Sequence, residues 1–139
     1  MKRNSIAQSS LVVLSLLLTV AGAHAQSATR VNVPFAFKVG TKQMPAGTYK
    51  IRNDFGTNFV RVLNVQTSAS AVAVGRRESP SKNTDKLIFH RYGNQYFLTE
   101  ILGGKGSNAM VLPATKQEKE LQVVRAPTNI SNDVEIASK

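Results

Sequence analysis

Lys86-Leu87-Ile88-Phe89-His90-Arg91-Tyr92-Gly93-Asn94-Gln95-Tyr96-Phe97-Leu98-Thr99-Glu100-Ile101 sets two apolar, β-branched and aromatic runs on either side of a Gly-Asn pair. Gly followed by Asn suits a two-residue type II′ turn, because glycine at the first central position accepts a positive φ. The segment therefore predicts a β-hairpin in which Tyr92 faces Gln95, Arg91 faces Tyr96, His90 faces Phe97 and Phe89 faces Leu98. Side chains alternate along a strand, so Ile88, His90, Tyr92, Gln95, Phe97, Thr99 and Ile101 fall on one face. Leu87, Phe89, Arg91, Tyr96, Leu98 and Glu100 fall on the other. Both faces are apolar near the middle. The hairpin is thus expected to be covered on both sides, or to form a barrel wall with a helix or tail outside it.

Upstream, Arg30 to Val39 alternates Val31, Val33, Phe35, Phe37 and Val39 with smaller or polar residues, the period of a half-buried strand. Pro34 has no amide to donate, which places it at an edge or a bulge. Gly40-Thr41-Lys42 turns the chain, and Met44-Pro45-Ala46-Gly47 fits a β-turn with Pro second and Gly fourth. Thr48 to Arg52 alternates again, with Tyr49 and Ile51 on one side. Asn58 to Val65 carries apolar residues on both faces and suits a more central strand. Ala71-Val72-Ala73-Val74 is a short strand of small side chains, and Gly75 to Asp85 reads as an exposed loop.

Downstream, Gly103 to Asn108 is a loop and Met110-Val111-Leu112 returns to the sheet. Thr115-Lys116-Gln117-Glu118 matches a capping box, with the cap hydroxyl first and Glu three residues on. Thr115 to Val124 is then the one expected helix, docked by Leu121 and Val124 and stopped by Pro127. The expected fold is all-β: an antiparallel sandwich or small barrel of six to seven short strands, with one short C-terminal helix. A single domain is expected over residues 26–126, followed by a polar, flexible tail over 127–139.

The N-terminus indicates where such a domain works. Lys2 and Arg3 precede the apolar run Leu11 to Val20, and Ala23-His24-Ala25 follows. That order is a secretory signal peptide over residues 1–25, cleaved between Ala25 and Gln26. The apolar stretch is shorter than the roughly 20 residues a membrane span needs. No Cys exists, which removes lipid attachment at the cleavage point and every disulfide. The expected product is a secreted or periplasmic protein with no integral membrane span after cleavage.

Composition narrows the partners. Taking Lys2 and Arg3 from 18 Lys+Arg leaves 16 against 8 Asp+Glu, so the basic excess belongs to the domain itself. Such a surface is suited to an anionic envelope polymer or protein, or simply to solubility. The bases are scattered and do not interleave with aromatics, which argues against nucleic acid. The densest basic group is Arg76, Arg77, Lys82 and Lys86, the candidate ligand-binding residues. His90 is the one histidine beyond the signal peptide and the one candidate catalytic base. One His without Cys does not build the usual zinc or copper site, and no calcium-loop pattern occurs, so neither metal nor cofactor is expected. No Gly-x-Ser-x-Gly elbow accompanies His90, and packing or hydrogen bonding within a sheet is its favoured role. Gly103-Gly104-Lys105-Gly106-Ser107 lacks the spacing of a phosphate loop.

Three segments carry a resemblance: Val33-Pro34-Phe35-Ala36-Phe37-Lys38-Val39-Gly40 leading to Met44-Pro45-Ala46-Gly47-Thr48-Tyr49, then Lys86 to Leu98, then Leu112-Pro113-Ala114-Thr115-Lys116-Gln117-Glu118-Lys119-Glu120-Leu121. Together they resemble a family of short, uncharacterised exported proteins common in acidobacterial genomes. The resemblance implies a bacterial envelope or extracellular setting and brings no activity, cofactor or ligand with it. The functional expectation is a non-enzymatic envelope or extracellular protein that binds or scaffolds. The alternatives are a hydrolase of cell-wall or extracellular material using His90, and a β-barrel carrier of a small apolar ligand.

Overall fold

Alternating strands with one apolar side have to bury it, and here two sheets do so against each other. The computed structural model describes residues 28–53, 57–80, 85–103, 108–125 and 133–137. Four strands form the first sheet: β1 (Ala28–Val33), β4 (Gly47–Asn53), β5 (Phe59–Asn64) and β6 (Ser70–Val74), in that order and all antiparallel. The second sheet runs β11 (Asp133–Ala137), β8 (Lys86–Tyr92), β9 (Gln95–Leu102), β10 (Asn108–Val111) and β7 (Arg76–Pro80). The short β2 (Phe37–Val39) joins it beside β9, in parallel, and pairs with β3 (Lys42–Met44). One helix, α1 (Lys116–Arg125), completes the described residues. The fold is an all-β sandwich with a short C-terminal helix, and its sheets do not close into a barrel.

The core lies between the sheets. Val31, Val33, Tyr49, Ile51, Val60 and Val62 point in from the first; Phe37, Leu87, Phe89, Leu98, Ile101 and Met110 point in from the second. Phe37 is its pivot, packing edge-on against Tyr49 at 5.0 Å and Phe89 at 5.2 Å between ring centroids. Among the described residues, the void beside Val31, Ile51, Leu87, Ile101 and Ile136 is about 10 Å³, room for about one water.

The hairpin forms in the expected register. Phe89 pairs with Leu98, His90 with Phe97, Arg91 with Tyr96 and Tyr92 with Gln95. Gly93 has φ of 62°, as a II′ turn demands of its first central residue. Arg91 lies 5.6 Å from the Tyr96 ring centroid, and the Phe35 ring stacks on Tyr96 with centroids 4.0 Å apart. The two faces hold only as far as Leu98. A register shift between Ile88 and Phe89 leaves Thr99 out of the pairing, so Glu100 pairs with Ile88 and Ile101 with Leu87. The extra residue moves Ile101 to the core side and Glu100 to the outer side, the reverse of strict alternation.

Other differences have local causes. The expected strand from Arg30 to Val39 breaks at Pro34, where the chain leaves the first sheet as β1 and enters the second as β2. Among the described residues there are eleven strands rather than six or seven. The residues read as a loop after Gly75 supply β7, which pairs with β10. The residues read as a flexible tail supply β11, which pairs with β8 through Val134 opposite Phe89 and Ile136 opposite Leu87. Those two apolar residues alternate with Asp133 and Glu135 and are half-buried against the core. The signal peptide and its cleavage point lie outside the described residues. Among the described residues no helix is long and apolar enough to cross a membrane.

Candidate functional site

The outer face of the hairpin is where titratable groups converge. His90 and Tyr92 are two residues apart on β8 and therefore project from the same side, away from the core Phe89. β11 sets Asp133 directly across from His90. Above them lies α1. Its cap forms as expected, with the Thr115 hydroxyl accepting from the Glu118 amide at 3.2 Å. Glu118 is three residues into the capping segment, and this places its carboxylate over β8.

His90 Nδ1 lies 2.9 Å from Glu118 Oε1 and Nε2 lies 3.6 Å from Asp133 Oδ1. An ionised carboxylate only accepts, so Nδ1 is the donor to Glu118. The Tyr92 hydroxyl donates to the same Glu118 oxygen at 3.4 Å and accepts from Gln122 Nε2 at 2.9 Å. Burial raises the Tyr92 hydroxyl above its usual pKa; Gln122 opposes the rise, and the charges of Glu118 and Asp133 add to it. Beside this cluster, Lys38 Nζ donates to Gln95 at 3.1 Å and to Gln117 at 2.8 Å, and sits 5.2 Å from the Phe97 ring centroid.

The helix is thus held by polar groups. Glu118 is only 2% exposed, whereas Val124, expected to dock the helix, is 78% exposed. Leu121 is half-buried. Nothing in the sequence pattern points to Asp133, Tyr92, Gln122 or Lys38 as site residues. The capping box marks Glu118 as a local helix-start signal, and nothing in that pattern reveals that β8 offers it a histidine.

The basic candidates are not brought together. Arg76 pairs with Glu78 at 2.7 Å, Arg77 donates to the Thr57 carbonyl at 2.8 Å, and Lys86 pairs with Glu135 at 2.9 Å. Arg76 and Arg77 lie on β7, separated from Lys86 on β8 by β10 and β9. Lys82 lies outside the described residues. Among the described residues no group of three or more His, Cys, Asp or Glu side chains is placed to hold a metal ion.

Chemically, the arrangement can clamp. A general base needs one ring nitrogen aimed at a nucleophile. Here both nitrogens face carboxylates, and the nearby Tyr92 hydroxyl is tied to Glu118 and Gln122. Comparison of the chain with protein-family models, curated proteins and solved structures finds no match.

Proposed function

We propose that this is an exported, non-enzymatic protein of the bacterial envelope or extracellular space, which works by binding or scaffolding. The observation that carries the reading is the use of His90. The histidine that a hydrolase would need as its base bonds Glu118 through Nδ1 at 2.9 Å, tying a helix to the outside of the sandwich, and its Nε2 faces the Asp133 carboxylate at 3.6 Å. The carrier reading draws less support from the core, where the void beside Val31, Ile51, Leu87, Ile101 and Ile136 is about 10 Å³. The basic excess of the domain suits an anionic envelope partner. The signal-peptide pattern and the resemblance to short exported proteins agree with that setting.

The test is sedimentation of the purified protein with isolated bacterial envelopes. Co-sedimentation that His90→Ala retains, at a temperature where the variant is folded, is the expected result. Failure to sediment overturns the binding reading. A hydrolytic activity on cell-wall material that His90→Ala abolishes, while the fold persists, would install the hydrolase in its place.

A further inference from the structure

We propose that the outer face of the four-stranded sheet docks the protein onto anionic phospholipid bilayers. This deepens the envelope-binding reading and rests on it. Alternation sends Val31, Tyr49, Ile51, Val60 and Val62 into the core, so their neighbours in sequence face outward. Those neighbours include Arg30, Lys50, Arg52 and Arg61. The register puts Arg30 directly opposite Lys50, and Arg52 directly opposite Arg61. Side chains in such positions have Cβ atoms about 5 Å apart, and like charges there repel. No acid stands among the described outward residues of these four strands, and the ion pairs of the described residues all lie elsewhere. Arg52 Nε is moreover buried without a hydrogen-bond partner. Two facing pairs of cations with no counterion among the described residues are a cost to the isolated fold, and an anionic partner removes it.

The next strand says which anion. Phe59 pairs with Val74 and Arg61 with Val72, so the cationic pairs run directly into an apolar edge. Phe59 is 49%, Val72 59% and Val74 55% exposed. A soluble polyanion would satisfy the arginines and have no use for these side chains. An anionic bilayer satisfies both, with headgroups over Arg30, Lys50, Arg52 and Arg61 and the apolar edge at the acyl boundary.

The experiment is binding of the full chain to vesicles of phosphatidylcholine, with and without phosphatidylglycerol. Binding is expected only with phosphatidylglycerol and should weaken as salt rises. Each cation near such a surface contributes about fivefold in affinity, so Arg30→Glu with Arg61→Glu should cost at least about 25-fold. Both positions are exposed, and an unchanged melting curve confirms that the pair folds. Arg76→Glu with Arg77→Glu makes the same change of net charge on the other sheet and should cost far less. Val72→Ser with Val74→Ser should leave low-salt binding and remove whatever persists at high salt. An equal loss in the Arg76/Arg77 variant overturns the proposal, as does capture by a soluble acidic polysaccharide with none by phosphatidylglycerol vesicles. Sedimentation with envelopes but not with these vesicles overturns this inference alone; loss of both overturns the envelope reading beneath it.

Discussion

His90 Nδ1 and Glu118 Oε1 meet at 2.9 Å across the gap between a strand and a helix that are 28 residues apart in sequence. The contact joins a half-exposed imidazole to a carboxylate almost wholly removed from water. A buried charge is tolerated only where it is paired, so Glu118 must be read as the anchor of α1.

Glu118→Ala should therefore destabilise the fold by about 1–3 kcal/mol, since it strands the partners of a buried charged group. Denaturant unfolding measures it, and a double-mutant cycle with His90→Ala should show that the two losses do not add. Val124→Ser, on the exposed side of the same helix, should change stability by less than about 0.5 kcal/mol. The reverse ranking would return the docking role to the apolar residues.

Gly47→Ala should be among the most damaging single-methyl changes. Gly47 has φ of 151°, and a Cβ there would sit 2.7 Å from Asn64 Nδ2 and 3.0 Å from Gln66 Oε1. Neither neighbour is free to give. Asn64 Oδ1 accepts the amides of Gln66 and Thr67 at 2.9 Å each, and Gln66 Oε1 accepts the Thr48 amide at 3.0 Å. A loss of about 1–3 kcal/mol is expected from the backbone strain alone, read as a lower denaturation midpoint.

Glu100 sits on the outer side of β9 because of the extra residue at Thr99. Burial raises its carboxyl above the usual range, and the charges of Glu78 and Asp133 raise it further. A raised acid favours the folded state when protonated, so its stabilising contribution is present below its unfolded pKa and is lost as pH rises through the folded one. Glu100→Gln should then raise the melting temperature at neutral pH. The advantage should shrink as pH falls below the ordinary carboxylate range. A gain independent of pH would mean that charge is not the cause.

Phe37→Ala removes the ring that packs against both Tyr49 and Phe89, and should cost about 3–5 kcal/mol. Phe59→Ala, on the open face of the other sheet, should cost far less in the same unfolding assay.

How much of this was legible depends on how far apart the interacting residues lie in the chain. Gly93-Asn94 fixes its own turn, and the turn fixes the pairing of Phe89 through Leu98, so local chemistry sufficed there. The residue left unpaired at Thr99 gives no local signal, because it is set by how β9 must serve two neighbours. The capping box placed α1 to within a residue, yet the partner of Glu118 is a strand residue that only the tertiary fold supplies. Alternation likewise sends Arg30, Lys50, Arg52 and Arg61 outward within their own strands. That they stand in facing pairs follows from the strand order β1-β4-β5, which no local pattern encodes.

β11 also governs how two copies of the protein can meet. Without it, β8 would present a row of unpaired amides and carbonyls, an invitation to any neighbouring chain with a strand to add. With it, the border of the seven-stranded sheet carries Asp133 and Glu135. Two molecules approaching border to border would set those acids against their own counterparts, and like charges directly opposite oppose pairing. The short acidic strand thus discourages self-association along the sheet that its own chain has just extended.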